Sequence, residues 1–429
     1  MGSVTQEAST ILEWEIDGSD GDALTRDVDC TGQDLEEGTM AARGIHIESL
    51  VLAMRGVVGN LDSQLAGCRI LAGILRNADE FTVRIVVAIG GIEAVISTMY
   101  HYYEVEEVQS FGCCSLFMLL SRDITLIKEV ADHGGIKVVI SAMRSHGTSL
   151  EVQSLALCVL YLLSASDHNK TEIVDLEGIE TVISAMFVHI GSEKLQRQGS
   201  LILRGLSCVV RSSAPVRTSS TSPQNSLIRE PSDFFMGYGT RIVHAGGIEA
   251  LLSAMIVHVD REEVQEAACG ALCNLSFDAD HADKIAKTSG VAAMLTAIRR
   301  HEENDEVFIT AFTGSANVVR SCANTAVTAM RQAMVMLECL LDVMLKSKLP
   351  RKDRLHTMGL HMLSVDIFRG FVHDIHKEMT DFKSRIARFN IILAAVERGQ
   401  LATIFANESF EVFSKFVDPC NYTESYQSK

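Results

Sequence analysis

An all-α solenoid of three-helix repeats is the fold this sequence predicts, on three observations. First, the phrase Gly91-Ile92-Glu93-Ala94-Val95-Ile96-Ser97-Thr98-Met99 returns from Gly135, Gly178 and Gly247, with weaker copies from Gly44-Ile45 and Gly290-Val291. Successive intervals from Gly91 are 44, 43, 69 and 43 residues, so one alone departs from the period. Second, a longer segment follows each phrase with apolar residues at spacings of three and four, as in Ala268, Leu272 and Leu275. Third, the chain is 47% apolar but 6% aromatic, with five prolines in 429 residues, which suits helices packed through aliphatic side chains. A unit of that length cannot bury its apolar face alone, so neighbours must stack.

The elements follow in order. Residues 1–39 carry Asp17, Asp20, Asp22 and Asp27 among glycines with little apolar periodicity, and read as a disordered acidic arm. Residues 40–320 hold the repeats. In each, a short first helix (Asp280 to Lys287, for example) ends at a glycine that permits a sharp turn. The phrase forms the second helix, ending near His101, His146, His189, His258 or His301. The third starts at Gln64, Gln109, Gln153, Gln196 or Gln265, with Phe308 replacing the glutamine in the last copy. The long interval is explained by an insertion at 211–237, rich in Ser, Thr, Pro and Arg, predicted to be a disordered loop. Within it Thr218, Ser219 and Ser222 are candidate phosphorylation sites, where added charge would dock or release the loop. Residues 321–429 lose the phrase and read as a helical cap or degenerate repeats, since a solenoid must shield its last apolar face.

Charge and composition narrow the function. A formal charge of −17 argues against nonspecific binding to nucleic acid or anionic lipid. No apolar run reaches 18 residues, so no integral membrane segment is predicted. Cys68, Cys113, Cys158 and Cys269 read as one recurring core slot rather than a disulfide framework, which suggests a reducing compartment. The cytoplasm is the expected location, with the nucleus as the alternative. No phosphate-binding glycine loop or nucleophile elbow occurs, so no cofactor and no catalytic residue are expected. The recurring histidines cannot share a metal: stacked helices stand about 8–10 Å apart, whereas ligand bonds are about 2 Å. Helix capping explains them better.

Three helices in about 43 residues, the glycine before the second, and the segment VQEAACGALCNLS (Val264 to Ser276) together resemble the armadillo repeat. The likeness spans residues 40–320. It implies a right-handed superhelical solenoid whose third helices line a concave face, extended by the carboxyl-terminal helices. It further implies a non-catalytic scaffold or adaptor holding an extended peptide or partner helix there. Armadillo proteins use a groove asparagine nine residues after the aligned glutamine position; Asn274 and Asn317 match it, while Met118 stands there in an earlier repeat. Arg69, Cys114, Arg197 and Glu266 complete the candidate groove. A nuclear-transport adaptor of the importin-alpha-like type is the alternative, but its groove tryptophans are replaced by Gly270 and Thr313, and Trp14 is the sole tryptophan. A second alternative is a metal-dependent enzyme using His361, His373 and His376.

Overall fold

Short polar side chains start several of the helices. Asn60, Asp79 and Ser149 each accept a hydrogen bond from the backbone N–H three residues on, at 3.1, 2.7 and 3.3 Å, satisfying donors that a helix start leaves unpaired. A computed structural model describes residues 40–56, 59–207, 238–301 and 303–321. These hold helices and no strand. They divide into two compact units, one up to His281 and one from Ala282 on. The acidic arm, the 211–237 insertion and nearly all of 321–429 lie outside the described residues.

The first repeat contributes α1 (Met40–Gly56) and α2 (Leu61–Arg76). The second has α3 (Glu80–Ala88), α4 (Gly91–His101) and α5 (Glu106–Arg122). The third begins with a 3-10 turn (Ile124–Leu126) and continues as α6 (Ile127–Asp132), α7 (Gly135–Ser145) and α8 (Leu150–Leu163). The fourth is α9 (Asp167–Asp175), α10 (Gly178–Val188) and α11 (Glu193–Ser207). The fifth is α12 (Tyr238–His244), α13 (Gly247–Val257) and α14 (Glu262–Leu275). Then come α15 (Ala279–Lys287), α16 (Gly290–Arg300) and α17 (Asp305–Ser321). In the first unit α2, α5, α8, α11 and α14 pack one on the next, and so do α1, α4, α7, α10 and α13. In the second unit α16 packs on α17. The described residues are all-α, and those of the first unit stack as a solenoid.

The residue before the phrase and the phrase glycine have different roles. The left-handed turn is made by the residue before it: Gly90 at φ 83°, Gly134 at 84°, Gly246 at 91°, and Glu177 at 57°. The phrase glycine itself opens the second helix against the first. A Cβ there would stand 2.7 Å from the carbonyl oxygen of Val86, Val130 or Ile173 in three repeats. Only hydrogen fits that gap.

A buried glutamine locks the corner between second and third helix in the first five repeats. Gln153 Nε2 donates to the carbonyls of Met143 and His146 at 2.7 and 3.0 Å, and Gln265 to those of Met255 and His258, both at 2.9 Å. Gln109 and Gln196 repeat the pattern. These carbonyls belong to helix ends, where backbone acceptors lack partners. Gln64 bonds the Met54 carbonyl in the same way, which fixes the register of the first repeat. Met54 thus holds the slot of Met99, and the weak first copy starts at His46-Ile47 rather than Gly44-Ile45, with Ile47 as buried as Ile92.

The cysteine slot also needs a correction. Cys68, Cys113 and Cys269 lie four residues after their glutamines, but Cys158 lies five after Gln153 and Leu157 takes the shared position. All four cysteines are free and fully buried. Burial pushes the Cys68 thiol up to about 12, and raises Cys113 and Cys269 further.

Candidate functional site

Three of the histidines, His146, His189 and His258, use their rings to join neighbouring repeats instead of capping their own helices. Nε2 of His146 lies 2.9 Å from the Tyr103 carbonyl, that of His189 2.9 Å from Gly147, and that of His258 2.8 Å from Ile190. Each ring reaches the residue one past the equivalent slot of the preceding repeat. Tyr102 holds that slot in the second repeat, as the Gln109 bond to its carbonyl shows. His101 is therefore one position early, and its Nδ1 turns back onto the Ser97 carbonyl at 2.7 Å. The ladder is a structural seam along the corners. Among the described residues no group of three or more His, Cys, Asp or Glu could hold a metal ion. His361, His373 and His376 lie outside those residues, as do Thr218, Ser219 and Ser222.

The candidate groove residues separate by burial. Cys114 and Met118, each 3% exposed, lie within α5, a helix buried around its whole circumference from Val108 to Leu120. They are packing residues and present no surface. The sequence pattern missed this because Ser110 and Ser115 break the apolar face, yet both are buried, with the Ser115 hydroxyl donating to its own helix at the Phe111 carbonyl. Asn317 on α17 is 2% exposed and likewise presents no surface. Arg69 is half-buried, with its guanidinium carbon 5.4 Å from the centre of the Phe111 ring in the next repeat.

Two candidates, Glu266 and Asn274, do come together at the junction of α11 and α14, around a residue the sequence pattern did not single out, with Arg197 two turns away on the same face of α11. Arg204 stands seven residues after Arg197, two helical turns along the same face of α11. Its side chain lies across α14 at Gly270, where a Cβ would come within 2.6 Å of Nε. Its Nη1 is 3.9 Å from Glu266 Oε1, both groups partly exposed, and its backbone carbonyl accepts from Asn274 Nδ2 at 3.0 Å. Arg197, Glu266 and Asn274 are half-exposed. Two signals for Arg204 were present in the sequence: its seven-residue spacing from Arg197, and a glycine at position 270 that leaves room for a long side chain. The result is a mixed-charge ledge across two adjoining rungs. Arg204 and Arg197 offer donors in a fixed fork geometry, and Glu266 and the Asn274 amide add acceptors beside them.

A second Arg makes an analogous inter-repeat contact without forming a surface. Arg122 at the end of α5 donates through Nε to the Ala78 carbonyl at 3.0 Å and through Nη2 to that of Arg76, closing the end of α2. Partial burial lowers the pKa of its guanidinium. No single described helix is long and apolar enough to cross a membrane.

Residues 241–277, the fifth repeat from α12 to just past α14, match the armadillo/beta-catenin-like repeat family. No curated protein matches the sequence. Among solved structures, one from work on a phosphorylation switch that controls the interaction between cadherin and beta-catenin is similar at 16% identity and a TM-score of 0.44. It covers 87% of this chain and 75% of its own. The matched repeat carries the glycine turn, the corner glutamine and the histidine link that also recur in earlier rungs, and this segment is similar to an armadillo repeat.

Proposed function

We propose that the protein is a non-catalytic interaction scaffold that holds an extended segment of a partner protein along its third helices. The observation that carries this reading is the α11–α14 ledge, where Arg197, Arg204, Glu266 and Asn274 present charged and amide groups on adjacent rungs. Two adjoining third helices set such groups about 8–10 Å apart, within reach of successive main-chain carbonyls and amides of an extended chain. Each main-chain hydrogen bond contributes about 1 kcal/mol net, so several rungs act together. Two guanidinium groups on one helix face favour a segment carrying a carboxylate or phosphate among its side chains. The cytoplasm is the proposed compartment, and the six buried free cysteines among the described residues are in keeping with a reducing one.

Selection from a displayed library of random extended peptides tests the proposal. Peptides retained by the wild-type protein should lose about tenfold in affinity against Arg197→Ser, the equivalent of a single charge-assisted bond. They should lose a comparable amount against Glu266→Gln or gain, according to the sign of the contacting residue. Selected peptides that bind all three proteins equally would remove the ledge from the function.

A further inference from the structure

The second-helix ends point to another binding surface, on the corner edge of the first unit and separate from the ledge. One slot, the residue after the phrase methionine, decides the matter. In the first and third repeats it holds Arg55 and Arg144, and each reaches the next repeat: Arg55 to Glu93 at 3.0 Å, Arg144 to Glu177 at 3.2 Å and to the Leu176 carbonyl. The fold therefore accepts, and uses, a charged side chain there. In the fourth and fifth repeats the same slot holds Phe187 and Ile256, followed by Val188 and Val257. These four are 47%, 61%, 55% and 52% exposed respectively. Because α10 packs directly on α13, the two pairs lie on adjoining helices. Nothing in the packing requires apolar groups at these positions, and leaving them in water is unfavourable. Tyr100 fills the slot in the second repeat and is 61% exposed, extending the same edge.

The surroundings specify the partner's charge. The four corners linked by the histidine seam, residues 103–107, 147–151, 190–194 and 259–263, carry eight carboxylates and two cations. One of those cations, Arg261, is engaged with Glu193 at 3.0 Å. An apolar stripe beside a net acidic edge complements a segment that is apolar on one side and basic on its flanks. The spacing of neighbouring packed helices, about 8–10 Å, is close to the rise of two α-helical turns, about 11 Å. We propose that this edge docks a basic amphipathic α-helix of a partner protein, whose apolar residues at i, i+3, i+4 and i+7 cover Phe187, Val188, Ile256 and Val257 while lysines or arginines face the corner carboxylates.

The probe is a fluorescently labelled designed helix with leucines at those four positions and lysines on both flanks, compared with a twin in which every lysine is glutamate. Anisotropy titration should show the basic helix binding and the acidic twin binding at least about tenfold more weakly, with added salt weakening the basic one. Phe187→Ser and Ile256→Ser should each reduce binding several-fold with unchanged circular dichroism, both sites being exposed. Arg197→Ser on the ledge should leave it unaltered, so a failed ledge and a failed edge are told apart. Equal binding of the two helices, no binding of the basic one, or indifference to both serine variants would overturn the proposal. So would self-association of the wild type at low salt that Ile256→Ser abolishes, since that would assign the patch to a second copy of the chain.

Discussion

Replacing Gln265 by methionine isolates the corner lock. The side chain keeps its length and shape and loses its amide. Gln265 is 1% exposed, and its Nε2 serves the Met255 and His258 carbonyls at 2.9 Å each. The two acceptors are not equivalent. The His258 carbonyl also receives the Arg261 N–H at 3.0 Å, so it keeps a partner. Its lost bond costs about 1 kcal/mol, whereas weakening the supply of donors to the buried Met255 carbonyl costs about 1–3 kcal/mol. Burial of the thioether offsets about 1 kcal/mol of this, leaving a net loss of about 2 kcal/mol. A repeat stack does not unfold as one unit, so a global melting curve would blur the effect. Hydrogen exchange read by mass spectrometry on α13 and α14, with α4 and α5 as internal reference, resolves it. Exchange in the fifth repeat should rise about 30-fold, the factor equivalent to about 2 kcal/mol, while the second repeat stays unchanged. Gln265→Glu should do more damage, because a carboxylate would face two carbonyl oxygens, and acid should relieve it. Unaltered exchange in both variants would refute the lock.

In an Arg144→Ala background, where the Arg144–Glu177 pair at 3.2 Å is already gone, Glu177→Gly should stabilise the fourth repeat by up to about 1 kcal/mol in chemical denaturation, since it relieves a left-handed φ of 57° at a non-glycine residue. Gly178→Ala, one residue on, should destabilise by about 1–3 kcal/mol, because its methyl would stand 2.7 Å from the Ile173 carbonyl oxygen. His189→Phe removes an inter-repeat bond of 2.9 Å and should raise exchange at the Gly147 corner, by the equivalent of about 1 kcal/mol. For Cys68 the thiol is raised from 9.0 to about 12 by burial, so its folded form stays neutral while an unfolded chain ionises. Its contribution is intact below pH 9.0 and is lost as the pH climbs towards about 12. Urea midpoints over that range should fall more steeply for wild type than for Cys68→Ala, and parallel slopes would contradict it.

The period, the three-helix unit and the core were legible because each is a pattern in one dimension. Gly135, Gln153 and Met143 recur at fixed offsets, and a recurring offset in sequence becomes a recurring contact in a stack. What escaped was the meaning of the offsets. The glycine before the second helix, Gly134, makes the turn as expected, but its neighbour in the phrase, Gly135, supplies a missing Cβ that the pattern did not announce. Sequence cannot separate these roles, since both demand the same residue in adjacent positions. The first-repeat register failed for a related reason: Gly44-Ile45 imitates Gly91-Ile92 in letters, but only the bond from Gln64 to the Met54 carbonyl reveals the true alignment.

The candidate groove shows where a rung rule stops. Counting nine residues from each glutamine selects Met118 and Asn274 alike, because the count reports which side of the third helix a residue occupies. It does not report what covers that side. Met118 is 3% exposed and Asn274 half-exposed, so one position buries a thioether and another displays an amide. The same distinction separates Arg144 from Phe187 on the second helices, where one slot serves the fold in the third repeat and faces solvent in the fourth. In a repeat protein the shared contacts explain stability, and the rungs that depart from them are where recognition is to be sought. Arg204 across Gly270, and Phe187 beside Ile256, are such departures.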